Sequence, residues 1–332
     1  MTAKISVLGA GSWGTALAIL AARNGCQTLL WGHDARHIAT LKKDNENKHY
    51  LPELPFPQGL KVTDQLQEAA EFSDLLLISV PSHAFKATLL KLKPFITVDT
   101  QVAWATKGFC AETGGLLDSV VSENLFSQTA TAVLSGPTFA NEVAKDLPTA
   151  ITIASKDRAL ANRLAALLHN PRFRAYTSTD IIGVQVGGAI KNVLAIAAGI
   201  ADGLGFGANT RAALITRGLT ESIRLGSKLG GQQETLMGLA GLGDLVLTCT
   251  DDQSRNRRFG LALGRGGNQA DIIKEIAQEV EGVFAAKEAY LLSKKYQIEM
   301  PIIEQTYKVL YENLDPLLAV QNLLAREQKS ES

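Results

Sequence analysis

The hydrophobic positions of this chain follow two rhythms, and the change from one to the other divides it. In the first half, short apolar runs alternate with helical stretches. Lys4 to Leu8, Gln27 to Trp31, Asp74 to Val80, Gln101 to Ala105, Thr131 to Ser135, Thr149 to Ala154 and Phe173 to Thr177 read as strands. Asp74 to Val80 (DLLLISV) is apolar almost throughout, as a strand covered on both faces of a parallel sheet should be. Helical periodicity fills Thr15 to Asn24 up to a stop at Gly25. It returns near His83, with Ser82 as N-cap, and across Asp157 to His169, with His169 as a structural cap. Asn45 to Gln58 holds three prolines and reads as an excursion rather than an element. The alternation predicts one doubly wound α/β sheet from Lys4 to about Thr177, and a first domain over residues 1–178.

Beyond Thr177 the strand signals cease. Helical periodicity covers 181–205, 209–229, 233–240, 269–279, 282–295, 301–310 and 316–327, which predicts an all-α domain over residues 179–332, frayed across 326–332. The stretch IIGVQVGGAIKNVLAIAAGIADGLG (181–205) is apolar nearly all the way round, so it should be the buried spine of that domain. Gln185, Lys191, Asn192 and Asp202 interrupt it, and such residues are expensive in hydrocarbon, so a core helix is expected and not a membrane span. Lys191 breaks the pattern most. Burying an ammonium costs several kcal/mol, on the order of the penalty for taking an ion out of water, unless a partner holds it or its proton leaves. Either Lys191 titrates in a reaction or it snorkels to solvent as lysines at helix edges do.

Composition narrows the classes. The chain has 332 residues with 33 basic and 33 acidic side chains, so no whole-molecule field draws it to nucleic acid or an anionic membrane. Cys26, Cys110 and Cys249 stand far apart without a C-x-x-C pair, which speaks against a disulfide framework or a zinc site and fits a reducing cytoplasm. The N-terminus enters a strand directly, with no basic-then-apolar leader.

Three sets of residues carry chemistry. The strand at Lys4 runs into Gly9-Ala10-Gly11-Ser12-Trp13-Gly14 and then a helix, the context a dinucleotide fingerprint requires. Gly9 allows the tight turn, Gly11 the approach of a pyrophosphate, Gly14 close helix–strand packing, and the helix N-terminus faces the phosphates. The second strand ends in Trp31-Gly32-His33-Asp34-Ala35-Arg36 without an acid at the position that meets the ribose hydroxyls of NAD(H). His33 and Arg36 either meet a 2′-phosphate, favouring NADP(H) or dual use, or lie in a solvated polar turn. Lys107 ends a strand, where ligands of open α/β sheets bind, or is an ordinary exposed lysine before a turn. Gly136-Pro137-Thr138 is expected to open a helix with an anion-friendly N-terminus. Asp244 emerges from the glycine-rich turn 238–243, and Ser254-Arg255-Asn256-Arg257-Arg258 gathers donors suited to a phosphomonoester or forms a merely solvated charged face. Glu281 is a helix-terminal acid or a cofactor contact. No ligand cluster stands at metal spacing.

Together these segments resemble the NAD(P)-dependent glycerol-3-phosphate dehydrogenases of bacterial type. The matching stretches are GAGSWGTALA (9–18), WGHD (31–34), VPSH (80–83), TKG (106–108), SGPTFANEV (135–143), GGAIKNVLAIAAGIADGLGFGANTRAALITRG (187–218), GLAGLGDLVLTCT (238–250) and SRNRR (254–258), in the family's order over almost the whole chain. The resemblance implies a Rossmann domain joined to a helical domain, interconverting glycerone phosphate and sn-glycerol 3-phosphate to supply glycerophospholipid synthesis. It implies Lys191 as proton donor and acceptor. Lys107, Gly136, Thr138, Asp244, Ser254, Arg255 and Asn256 would then contact substrate. Ser12, Trp13, His33, Lys107, Ala140, Arg255, Val280 and Glu281 would contact the cofactor, NADP(H) and/or NAD(H). Glu279 stands where the family often has a small apolar residue. A cytoplasmic enzyme is implied, with a homodimer as one possible assembly. The competing readings are a β-hydroxyacid-type dehydrogenase on the same plan, which must recognise a carboxylate, and a nicotinamide-sensing regulator without turnover.

Overall fold

A computed structural model of the chain describes residues 2–326. The expected frayed tail falls on 327–332, outside the described residues, apart from Arg326, which pairs with Glu299.

Eight strands form one sheet: β1 (Lys4–Leu8), β2 (Gln27–Trp31), β3 (Leu60–Thr63), β4 (Leu75–Ile78), β5 (Gln101–Trp104), β6 (Thr131–Ser135), β7 (Thr149–Ala154) and β8 (Phe173–Ser178). Their order is β3-β2-β1-β4-β5-β6-β7-β8. The chain runs outward from β1 to β3 and then returns to place β4 on the other side of β1. The crevice at the carboxyl ends of β1 and β4 is therefore the switch point where an open α/β sheet takes its ligand. The four β4 residues are buried on both faces, as their unbroken apolar run requires.

The expected βαβ alternation fails at one place. β7 is antiparallel to β6. Between them lies only the five-residue helix Ala140–Ala144, about 7 Å long, which cannot return the chain along a six-residue strand of about 20 Å. Gly136-Pro137-Thr138 accordingly does not open a helix: the three residues precede one whose first residue is Ala140. Ser82 is likewise not an N-cap but the first residue of the helix Ser82–Leu92, with Pro81 at the cap. β3 and the helices Ala35–Asp44, Leu66–Phe72, Leu117–Asn124, Asp244–Thr250 and Arg255–Gly264 add to the expected elements.

Among the described residues, every element after β8 is helical. The spine Ile181–Gly203 is buried along nearly its whole length, and it is the one described helix long and apolar enough to cross a membrane. Its glycines set how closely its neighbours approach. A β-carbon on Gly199 would lie 2.2 Å from the Arg257 carbonyl oxygen, and one on Gly260 would lie 2.1 Å from that of Ile196. The spine and Arg255–Gly264 thus meet backbone to backbone. The same holds at Gly187, 2.3 Å by this measure from the Ala240 carbonyl oxygen, which presses the glycine turn 238–243 onto the spine. Gly188 packs on Ser135 at the end of β6, so the spine also touches the sheet.

Candidate active site

The turn after β1 has the shape its glycines predict. Gly9 takes φ +128 with Ser79 of the β4 end pressed against it, and a β-carbon on Gly14 would lie 1.9 Å from the Gly9 carbonyl oxygen. Gly11 instead faces open space: nothing lies within 4 Å of the position its β-carbon would take. Trp13 Nε1 is buried without a hydrogen-bond partner. Trp13 and Ala140 pack on the same apolar cluster, so the short helix at Ala140 flanks the fingerprint helix Ser12–Arg23. An open cradle beside an orphaned donor fits the pyrophosphate arm of a dinucleotide.

At the end of β2, His33 and Arg36 are exposed. Asp34 is used locally: its carboxylate caps the helix Ala35–Asp44, accepting from the Arg36 and His37 amides, and these bonds hold it below the usual carboxylate range. The acid nearest the ribose position is thereby committed to the backbone, while the two basic side chains stay free to meet a ligand.

Across the crevice three charged side chains meet. Lys107, three residues beyond β5, donates to Asp244 Oδ2 at 2.6 Å and to the Gly136 carbonyl at 3.1 Å. Lys191 on the spine reaches Asp244 Oδ1 at 3.0 Å and donates to Thr248 Oγ1 at 2.9 Å. Asp244 is 1% exposed and each lysine side chain 11%. Lys191 is therefore enclosed and paired; it does not snorkel. Two ammoniums share one carboxylate, leaving the group a net positive charge in a nearly dry place, and burial pulls the Lys107 pKa down to about 8 against the upward pull of Asp244. Thr248, one helical turn after Asp244, donates to the Asp244 carbonyl at 2.6 Å and so fixes the hydroxyl that receives Lys191.

A third group adjoins the spine at Asn192, the residue after Lys191. Ser254 caps the helix Arg255–Gly264, accepting from the Arg257 amide. Asn256 donates to Asn192 at 3.0 Å and accepts from the Gly282 amide at 2.9 Å, which ties it to the residue after Lys191 and to the helix Glu281–Tyr296. Arg255 donates to Gln278 at 3.5 Å. Arg257, buried, anchors the segment through Asp202 at 2.6 Å and the Cys249 carbonyl at 3.0 Å. Burial raises the Glu281 carboxyl, opposed by Arg255, Lys191 and Lys107. Val280 is buried in the helical core. Thr138 donates to the Gly136 carbonyl that Lys107 also holds.

The structure thus gathers Lys107, Gly136, Thr138, Lys191, Asp244 and Thr248 into one cluster, with Ser254, Arg255, Asn256 and Glu281 beside it. His33 and Arg36 stand apart, at the end of β2. Thr248 and Asn192 are not among the site residues the sequence points to, although Asn192 breaks the apolar pattern of the spine. Thr248 was findable, because a hydroxyl four residues after a buried acid on a helix lies above it on the same face.

The N-terminal and C-terminal sequence models of the NAD-dependent glycerol-3-phosphate dehydrogenases match residues 4–161 and 180–321. A protein of Colwellia psychrerythraea named glycerol-3-phosphate dehydrogenase [NAD(P)+] is 55% identical over 100% of this chain and 99% of its own. A crystal structure of glycerol-3-phosphate dehydrogenase from Coxiella burnetii superposes with a TM-score of 0.95 at 49% identity, covering 98% of this chain and 99% of that one. D-mandelate dehydrogenase with NADH, at 15% identity over 93% of this chain and 98% of that one, shares the fold with a TM-score of 0.62.

Proposed function

This chain belongs to the NAD-dependent glycerol-3-phosphate dehydrogenase family, and from that premise we propose how its own residues carry out the reaction. The protein is an NAD(P)-dependent oxidoreductase acting on a CH–OH group, interconverting glycerone phosphate and sn-glycerol 3-phosphate. Residues 1–178 would hold most of the cofactor and contribute Lys107 to the substrate site, and residues 179–332 would supply Lys191, Asp244 and the phosphate-gripping groups. The observation that carries the assignment of roles is Asp244 held between Lys107 and Lys191.

Gly9, Gly11, Ser12, Trp13 and Gly14 would hold the dinucleotide, with Ala140, Val280 and Glu281 along its course. Bound reduced nicotinamide supplies the hydride. Protonated Lys191 passes a proton from Nζ to the C2 carbonyl oxygen as charge grows there, and takes a proton back from solvent after release. Lys107 stabilises the same oxygen as a second fixed positive charge. Asp244 holds both amines in place and favours the charged form of Lys107. Ser254, Arg255 and Asn256 grip the phosphate at a helix N-terminus, where dipole and guanidinium both favour an anion. Gly136 and Thr138 complete the substrate wall. Binding energy from the non-reacting phosphate positions the ketone.

A cytoplasmic enzyme that supplies the glycerophospholipid backbone, with a homodimer as its assembly, belongs to the same reading; sedimentation velocity tests the dimer. The relatives' shared activity favours this over a β-hydroxyacid dehydrogenase or a regulator without turnover. Following NADPH and NADH absorbance on addition of glycerone phosphate tests the function. Turnover with glycerone phosphate and none with a carboxylate analogue is expected, and cofactor binding without any absorbance change overturns it.

A further inference from the structure

Asn47 lies in the proline-rich excursion between the helix Ala35–Asp44 and β3, a part of the chain the mechanism does not use. An amide on a loop is usually wet, yet this one is 0% exposed. Every hydrogen-bonding position on it is filled. Nδ2 donates to the Ala10 carbonyl at 3.1 Å and to Thr15 Oγ1 at 2.8 Å, using both of its hydrogens. Oδ1 faces His37 Nε2 at 3.2 Å and accepts from the Tyr50 amide at 3.4 Å. Because Nδ2 is the donor in this arrangement, the proton of the His37 contact sits on Nε2. The amide therefore ties together the excursion, the helix after β2, and both the turn and the helix of the glycine fingerprint.

The bond to Ala10 has a directional consequence. The Ala10 carbonyl and the Gly11 N–H belong to one planar trans peptide, so they point in opposite directions. Fixing the carbonyl inward on Asn47 aims the Gly11 N–H outward, on the side of the turn away from Asn47. Gly11 is also the fingerprint residue whose side-chain position stands clear. We infer that Asn47 is a positioning residue for cofactor binding, one that sets the peptide plane whose N–H meets the pyrophosphate and so acts through the turn without touching the ligand. The inference rests on the dinucleotide lying along that turn.

The test uses the full chain and NADPH as the probe, with dissociation constants from calorimetry and steady-state kinetics on glycerone phosphate. Asn47→Leu removes the amide at similar volume, and Asn47→Asp replaces the donating nitrogen with an acceptor. Both should weaken NADPH binding on the order of tenfold, as losing a buried, fully used hydrogen-bonding group does. At saturating NADPH, kcat and the KM for glycerone phosphate should stay within about threefold. A fall in melting temperature with an unchanged NADPH dissociation constant overturns the inference, because a merely structural tether would behave in that way. So does an equal loss in both substrates. If neither variant folds, Thr15→Val removes one of the two acceptors; a rise of about threefold in the NADPH dissociation constant is expected and no rise overturns the inference. Gly11→Val separates the two levels: it should abolish NADPH binding if the cofactor lies on the turn. Intact binding there defeats the site assignment itself, whereas lost binding there with unaffected Asn47 variants defeats only the role of Asn47.

Discussion

Replacing Asp244 with asparagine keeps the volume of the side chain and removes the one negative charge in contact with both lysines. In the native site that carboxylate stands 2.6 Å from Lys107 Nζ and 3.0 Å from Lys191 Nζ, itself 1% exposed. Taking one partner from a buried ion pair typically costs about 3–5 kcal/mol, since the remaining charge is left uncompensated. Here two like charges are left, and the cheapest relief is for an ammonium to lose its proton. At 1.36 kcal/mol per tenfold change in proton affinity, half of a cost of about 3–5 kcal/mol falling on Lys107 lowers its proton affinity by roughly one to two pH units. Lys107 already titrates near 8 because burial opposes its charge, and Asp244 is the main influence holding it up. Without Asp244 its charge is lost near or below neutrality.

Ketone reduction needs positive charge at the reacting oxygen. In the native protein the rate therefore falls on the basic side as Lys107 loses its proton near pH 8. In Asp244→Asn that basic limb moves to lower pH by about one unit or more, and kcat at pH 7.5 falls on the order of a hundredfold, the range attributed to a positioned acid. NADPH oxidation followed at 340 nm with glycerone phosphate from about pH 6 to 9.5 gives both numbers. NADPH affinity, measured separately, guards against a general collapse of the site. A variant with kcat within about fivefold of native and an unmoved basic limb would refute the reasoning.

Glu221 tests burial without catalysis. It is 2% exposed, accepts from the Ile302 and Ile303 amides at 2.8 and 3.2 Å, and burial raises its pKa to about 7. The folded state then holds the proton more tightly than the unfolded chain, so this contribution to stability is full below about pH 4.5 and is lost as pH rises through 7. The whole effect is about 3 kcal/mol, so the native melting temperature should drop a few degrees across that window while Glu221→Gln shows a flatter curve; parallel curves would contradict it. Arg36→Ala should raise the KM for NADPH about tenfold and leave that for NADH nearly unchanged, as loss of a charge-assisted bond to a 2′-phosphate would; equal effects on both cofactors would place Arg36 outside the site. Gly187→Ala puts a methyl 2.3 Å from the Ala240 carbonyl oxygen and should cost about 1–3 kcal/mol in urea unfolding, since only backbone can yield; an unshifted midpoint would mean the turn 238–243 moves freely.

What could be read from the residues divides along a physical line. Features written in local spacing were legible: the apolar run of β4, the spine's lack of a polar face, and the glycine turn whose second glycine stands open. Strand direction is not local, because an apolar run looks the same read either way, and β7 reversed for want of a long enough crossover helix. Pairing is not local either. Lys107 and Asp244 meet across 137 positions, and Lys191 and Thr248 across 57. The sequence did record the condition for that meeting. Asp244 reaches the lysines because the turn before it lies directly on the spine, and it lies there because Gly187 on one side and Gly241 on the other carry no side chain. A β-carbon on Gly241 would fall 1.9 Å from the Leu236 carbonyl oxygen, so the turn also needs glycine to fold back on itself. The glycines in GGAIK and GLAGLGD are thus part of the electrostatics: they bring the acid near enough to both amines that two lysines can share one enclosed site.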